Sequence, residues 1–141
     1  MLAQALAYAA EKCKLRKELG PVRINCSGNF LEEGGKKAAC ALCVGVGSLC
    51  DPPQLDGLAH FTEHMVFMGT ERYPDENEWA AFLAKRGGED NGETDAETTL
   101  FYFDVHPSYL RAALERFGQF FAAPLFNFNS AQREEIGRAH V

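Results

Sequence analysis

Two stretches of the chain have the character of β-strands. In the first, residues 37–48, positions alternate between an apolar face and a face of small side chains, the period expected of a strand. The apolar face holds Cys40, Leu42, Val44 and Val46, and the small face holds Ala41, Cys43, Gly45 and Gly47. Because small residues admit a close neighbour, we expect another segment to pack tightly on the small face. The second stretch, residues 98–105, is rich in β-branched and aromatic residues.

The strongest helical signal lies in the middle of the chain. Residues 51–53, Asp-Pro-Pro, break the chain before it. The apolar pattern then predicts a helix from Leu58 to Met68, with Asp56 as its N-cap and Gly69 as its C-terminal stop.

Two further helices follow from apolar residues at helical spacing. One is expected to begin at Asp75, with Glu78 completing a capping box, and to end at residues 87–88. The other is expected over residues 108–122. The apolar positions on these two helices are Trp79, Phe82 and Leu83 on the first and Leu110, Leu114, Phe117 and Phe121 on the second.

The predicted order is strand, helix, helix, strand, helix, which indicates a mixed α and β fold. Residues 1–20 have helical character, whereas residues 21–37 contain several turn-forming dipeptides and are expected to be irregular. Residues 87–95 are polar and glycine-rich, and they are expected to form a loop.

Composition narrows the class of protein. The 141 residues suffice for one domain, and 46% hydrophobic with 24% charged residues is ordinary for a soluble globular protein. The net charge of −6 argues against a nucleic-acid partner and mildly favours cationic ligands, although an acidic surface can also serve solubility alone. No apolar run approaches the roughly 20 residues of a membrane span, and we expect no signal peptide.

The chain contains five cysteines at no regular spacing. Free thiols in a reducing compartment, hence a cytoplasmic location, are the simplest interpretation. Cys40 and Cys43 form a C-x-x-C, which can be a redox pair or half of a zinc site, but no second Cys/His pair has matching spacing. We therefore disfavour both roles.

Candidate chemistry is concentrated in the first helix, at His60-Phe61-Thr62-Glu63-His64. His60, Glu63 and His64 project from one helical face. Two imidazoles four residues apart can hold one Zn²⁺, with each nitrogen at about 2.0–2.1 Å. A water on that ion becomes acidic enough for Glu63 to take its proton as a general base, which is the chemistry of a zinc peptidase whose helix motif is inverted.

The same five residues also occur by chance on ordinary surface helices. This helix, however, is otherwise apolar, and a helix that is apolar nearly all round is expected to be buried. Buried imidazole and carboxylate groups need partners, because an unpaired buried charge is costly. A metal ion supplies such a partner, so we favour zinc.

Around this helix the chain resembles the insulinase/pitrilysin family of metallopeptidases. The matching stretch reads VGVGSLCDPPQLDGLAHFTEHMVFMGTERYPDENEWAAFLAKRGG and continues through DNGETDAETTLFYFDV and YLRAALERFGQFFAAPLF. We delimit the family-like segment as residues 37–134. Residues 1–36 do not resemble the family's opening strands and are treated as a divergent segment.

The resemblance implies an α+β domain with a mainly antiparallel sheet, joined in the whole protein to further domains that close as a clamshell around peptide substrates. It implies Zn²⁺ held by His60 and His64, with Glu63 as the general base. It also implies an edge strand near Asn91 that pairs with an extended substrate. Gly92 stands where the family usually has alanine, and Asn91-Gly92 is equally a strong turn sequence, so both interpretations of Asn91 stay open.

A third zinc ligand is missing from this pattern. The family's third ligand is a glutamate on a later helix, and its position falls on Val141, which cannot bind zinc. Residues 135–141 can be encoded by GAG ATC GGA AGA GCA CAC GTC, which resembles a sequencing-library adapter. We interpret these residues as a non-native tail, with a genuine C-terminus as the alternative.

Two functional hypotheses follow. The first is an N-terminal fragment of a zinc endopeptidase that cuts oligopeptides, inactive as an isolated chain. The second is a truncated or decayed paralogue without catalysis that acts as a binding module. The intact His60, Glu63 and His64 favour the first hypothesis, and the missing third ligand favours inactivity of this chain alone.

Overall fold

A four-stranded sheet forms the framework of the molecule. The structure, a computed structural model, describes residues 23–25, 37–127 and 129–132. The strands are β1 (Arg23–Asn25), β2 (Ala38–Val44), β3 (Glu89–Thr94) and β4 (Thr99–Val105). They lie in the order β1-β2-β4-β3, and every neighbouring pair is antiparallel. The predicted α+β class with an antiparallel sheet is confirmed.

Three helices accompany the sheet: α1 (Leu58–Val66), α2 (Glu78–Ala84) and α3 (Leu110–Ala122). Short 3-10 turns at Ser48–Cys50 and Pro107–Tyr109 precede α1 and α3. All three helices bury apolar side chains in one cluster with the inner faces of β2 and β4. The helices therefore lie on one face of the sheet. Within the part of the chain that the structure describes, no helix has the length and apolar character needed to cross a membrane.

The core lies between the buried faces of β2 and β4 and a group of aromatic side chains on the helices. Every second residue of β2 and β4 is buried, and Cys40 pairs with Phe103 in the antiparallel register. Trp79 of α2 packs edge-to-face on Phe103 and on Phe120 of α3, with ring centroids 5.3 and 5.5 Å apart. Such contacts between large rings hold α2 and α3 onto the sheet.

The apolar residues predicted to face the core are mostly buried, with two exceptions. Trp79 and its neighbours on α2 are buried as predicted. On α3 the stripe is rotated, because Phe120 is buried while Phe121 is half-buried. Val46 lies beyond β2 and is exposed, since the strand ends at Val44.

The small face of β2 does not receive the neighbour that was expected along its length. Cys43 is exposed, and a Cβ placed on Gly45 would meet nothing within 4 Å. The close approach occurs only further on, at Gly47, where a Cβ would lie 2.3 Å from the carbonyl oxygen of Asp95. The prediction is therefore wrong for the strand and holds for the segment after it.

The expected cap of α2 is wrong. Asn77 occupies the N-cap position without a side-chain cap. The Asp75 Oδ1 atom accepts a hydrogen bond from the backbone N–H of Asn77 at 2.9 Å, which closes a turn before the helix. Glu78 forms no capping box, because its carboxylate accepts a hydrogen bond from Arg116 Nε at 2.8 Å.

Two segments expected to lack regular structure contain strands. The loop expected over residues 87–95 is wrong, since residues 89–94 form β3. Residues 23–25, expected to be irregular, form β1 and pair with β2. The other residues of 1–36, including the expected helix at 1–20, and residues 135–141 lie outside the described part of the chain.

Candidate metal centre

The start of α1 is held by a side chain that lies several residues earlier in the chain. The Asp51 carboxylate accepts hydrogen bonds from the backbone N–H groups of Gly57 and Ala59, each at 2.8 Å. Gly57 takes the N-cap position in the left-handed conformation, with φ of 82°. The predicted cap, Asp56, is therefore wrong, and Asp51 fulfils the role from the preceding turn. A carboxylate at this end of a helix also interacts favourably with the helix dipole.

His60 and His64 lie on successive turns of α1 with their rings facing each other. Their Nε2 atoms are 3.1 Å apart, and their ring centroids are 4.9 Å apart. Two Zn–N bonds of about 2.0–2.1 Å at a tetrahedral angle separate their nitrogens by roughly 3.3 Å. The two imidazoles therefore already have the spacing of a zinc-binding pair, although the same distance also suits a hydrogen bond between neutral rings.

Glu63 completes a cluster with the two histidines. One ligand atom from each of His60, Glu63 and His64 lies within 4.8 Å of the others. The Glu63 side chain is only 6% exposed, and its Oε2 atom accepts a hydrogen bond from Thr94 Oγ1 at 2.5 Å. The carboxylate is thus directed toward β3 while remaining beside the imidazole pair.

Burial on α1 is more one-sided than the apolar sequence indicates. Leu58, Phe61, Met65 and Val66 are buried, and so is Glu63. His60, by contrast, is exposed, and His64 is half-buried. The argument that buried polar groups require a partner therefore applies to Glu63, whereas the two histidines lie nearer to the solvent.

The segment between β2 and α1 ties the helix to the β3–β4 hairpin. The backbone N–H groups of Ser48 and Leu49 donate hydrogen bonds to the carbonyl oxygens of Asp95 and Ala96, each at 2.9 Å. The same segment continues to Asp51, which caps α1. The hairpin that carries Thr94 and the helix that carries Glu63 are consequently fixed to one short stretch of backbone.

Asn91 lies inside β3, so the alternative that it forms a turn is wrong. It pairs with Tyr102 of β4, and its Nδ2 atom donates a hydrogen bond to Tyr102 Oη at 3.1 Å. Tyr102 Oη in turn donates to Glu93 Oε1 at 2.9 Å. Because strand residues alternate between faces, the Asn91 side chain lies on the face opposite to Gly92 and Thr94, which contact Glu63.

The remaining sequence candidates do not add to this centre. Cys40 is buried and Cys43 is exposed, as alternation within one strand requires. They point to opposite faces of the sheet, which excludes a shared disulfide or metal ion in this arrangement. Val141, where the third ligand was expected, lies outside the described residues.

Comparisons with known proteins agree with this architecture. The sequence model of the family described as Insulinase (Peptidase family M16) matches residues 31–139. Nardilysin of Homo sapiens is 58% identical over 99 residues, covering 70% of this chain and 9% of that protein. Insulin-degrading enzyme of Homo sapiens is 50% identical over 98 residues, covering 70% of this chain and 10% of that protein. The crystal structure of pitrilysin superposes with a TM-score of 0.70 at 31% identity, covering 83% of this chain and 13% of that chain.

The chain therefore belongs to the insulinase family of peptidases, family M16, which is a family of zinc metallopeptidases. It spans only about a tenth of the length of these curated relatives, 9% of nardilysin and 10% of insulin-degrading enzyme. The region matched by the family, residues 31–139, extends past both ends of the 37–134 segment delimited from the sequence, and those boundaries remain predictions.

Proposed function

We propose that this chain is part of a zinc-dependent endopeptidase that hydrolyses peptide bonds of oligopeptides. The observation that carries the proposal is the pairing of the His60 and His64 Nε2 atoms, 3.1 Å apart, beside the buried Glu63 carboxylate. Membership of a peptidase family supports the same chemistry. His60 and His64 would hold the ion, and Glu63, which belongs to the same cluster, would stay free to exchange a proton.

The role of each side chain in the proposed reaction follows from its chemical type. When bound, zinc supplies Lewis-acid chemistry at the imidazole pair. The Glu63 carboxylate takes a proton from the attacking water as general base, and it later returns that proton to the leaving amine. Burial of Glu63 keeps competing solvent away from this carboxylate, while the exposure of His60 leaves access for a peptide.

An extended peptide has a suitable docking edge next to this centre. β3 is the last strand in the sheet order and pairs with β4 alone among the described strands. The backbone groups on its other edge can pair with a substrate strand, which favours main-chain recognition over particular side chains. We propose that the backbone near Asn91 contributes in this way, because its side chain is already bonded to Tyr102.

We further propose that the chain works with the remaining domains of a clamshell peptidase in the reducing cytoplasm, where free thiols such as those of Cys43 and Cys50 are stable. Taken alone, the 141-residue chain is expected to bind zinc weakly and to show no peptidase turnover. Two histidines from the described residues would leave the ion short of the three protein ligands of a catalytic zinc site, and this chain spans about a tenth of the length of its curated relatives.

The test uses the native polypeptide that carries this segment together with its continuation. Glu63→Gln should lower kcat for a test peptide by about 10²–10⁴-fold while the zinc content per chain stays the same. Glu71→Gln, an exposed change outside the centre, is the matched control and should leave both quantities unchanged. Unchanged turnover in Glu63→Gln would remove the general-base role. A zinc-free wild-type protein without turnover would favour the binding-module alternative.

A further inference from the structure

The buried Glu63 carboxylate has a dedicated partner on the edge strand. Thr94 is the last residue of β3, and its hydroxyl donates to Glu63 Oε2 at 2.5 Å. A carboxylate that is 6% exposed is costly unless it accepts hydrogen bonds. Among the described residues, the hydrogen bond to Glu63 comes from Thr94, which joins α1 to a strand 31 residues further along the chain.

The backbone of β3 lies close to the Glu63 side chain at Gly92. Gly92 lies two residues before Thr94 on the same face of β3. A Cβ placed on Gly92 would lie 2.8 Å from both Cγ and Oε1 of Glu63. The glycine therefore leaves the space in which the Glu63 side chain rests on the strand, and Thr94 fastens the end of that side chain.

The Thr94 hydroxyl has two oxygen neighbours, the Glu63 carboxylate and the Thr99 hydroxyl. Thr99, which is 5% exposed and pairs with Thr94 in the hairpin, donates to the carbonyl oxygen of Val46 at 2.8 Å. The Thr94 and Thr99 oxygens are 3.5 Å apart. Each hydroxyl has a single proton. A carboxylate accepts hydrogen bonds, and Glu63 Oε2 is much nearer to the Thr94 oxygen than Thr99 is, so the Thr94 proton goes to Glu63 while the Thr99 proton goes to Val46.

We propose that Thr94 is a positioning residue for the general base Glu63. This inference rests on the proposed peptidase function. The hydrogen bond to Oε2 fixes the orientation of the Glu63 side chain and leaves Oε1 as the oxygen that exchanges a proton. The bond also holds the carboxylate against β3, beside the imidazole pair.

The first test examines the 141-residue chain without any activity assay. The side-chain carboxyl ¹³C resonance of Glu63, assigned by its loss in Glu63→Gln, should shift in Thr94→Val and stay in place in Thr94→Ser, which keeps the hydroxyl. Thr98→Val, the same substitution at the next threonine of the hairpin, is the control and should leave the resonance unmoved. The zinc affinity of Thr94→Val should stay within about threefold of wild type, because the metal-binding imidazoles are untouched.

The second test uses turnover of the native polypeptide that contains the segment. Thr94→Val should lower kcat by about 10–100-fold with KM within about twofold, and Thr94→Ser should recover most of the loss. If Thr94→Val does not fold, Thr94→Ala removes the same hydroxyl with a smaller side chain. Wild-type kcat and an unmoved Glu63 resonance in the hydroxyl-free variant, alongside an inactive Glu63→Gln, would overturn the role of Thr94 alone. An active Glu63→Gln would instead overturn the proposed function.

Discussion

The Asp51 carboxylate accepts a hydrogen bond from the backbone N–H of Ala59, one residue before His60, at 2.8 Å. The same carboxylate accepts a second bond from Gly57. The first turn of the metal-binding helix is thereby fastened to the segment that also holds the β3–β4 hairpin. Asp51 thus links the position of the imidazoles to the position of the strand that carries Thr94.

Removal of this cap should destabilise the fold. Asp51→Ala is expected to lower the free energy of unfolding by about 0.5–2 kcal/mol, because two N–H groups at the start of α1 lose their acceptor. Urea unfolding of the 141-residue chain measures the change. Asp56→Ala is the control, since this exposed residue was the cap expected from the sequence, and it should change stability by less than about 0.5 kcal/mol. A larger effect at Asp56 than at Asp51 would contradict the observed capping.

The contact between Gly47 and the hairpin supplies a second prediction. A Cβ on Gly47 would lie 2.3 Å from the backbone oxygen of Asp95, so Gly47→Ala must push the hairpin away. We expect a loss of about 1–3 kcal/mol in the free energy of unfolding. Gly45→Ala is the matched control two residues earlier, where a Cβ has nothing within 4 Å. Equal stability of the two variants would show that the hairpin does not depend on this close approach.

The apolar pattern of the sequence predicts most of the helices and strands, and β3 is the main exception. Strands β2 and β4 and all three helices each bury a periodic apolar face, so sequence periodicity locates them. β3 has no such face, because Asn91 and Glu93 point away from the helices while Gly92 and Thr94 serve the Glu63 side chain. The residues that β3 contributes to the site give it no alternating apolar pattern, so the sequence alone does not predict this strand.

The candidate site also contains some residues that the sequence predicts and others that it does not. Helical spacing alone brings His60, Glu63 and His64 together, so the sequence predicts this cluster directly. Thr94 and Asp51 contact this helix through tertiary hydrogen bonds, which no local sequence pattern predicts. Asp56 is more favourable as a cap by sequence position, but the left-handed Gly57 at the N-cap position leaves that role to Asp51.

A third prediction concerns Asp90 on β3. Burial raises the pKa of its carboxyl group, and the hydrogen bond from Trp79 Nε1 at 2.9 Å lowers it less. With a folded pKa above the unfolded value of 3.8, protonated Asp90 favours the fold at low pH, and this contribution is lost as pH rises through the folded pKa. Asp90→Asn keeps an acceptor for Trp79 without the charge, so at neutral pH it should be as stable as wild type or more stable.

Thermal unfolding between pH 7 and pH 4 checks this prediction. The stability difference between Asp90→Asn and wild type should shrink as the pH falls. Asp90→Leu is the comparison variant, because it removes the acceptor and leaves the Trp79 N–H unpaired, at a cost of about 1–3 kcal/mol. A less stable Asp90→Asn at neutral pH would mean that the charge itself stabilises the fold.

The most direct test of the central claim is zinc K-edge X-ray absorption on the 141-residue chain loaded with less than one equivalent of zinc. The account predicts scattering from two imidazole nitrogens at about 2.0–2.1 Å, with no sulfur neighbour at about 2.3 Å. This imidazole signal should disappear in the His60→Ala/His64→Ala double variant and persist in His106→Ala. An unchanged spectrum in the double variant, or a sulfur shell in the wild type, would contradict the assignment of the zinc site to α1.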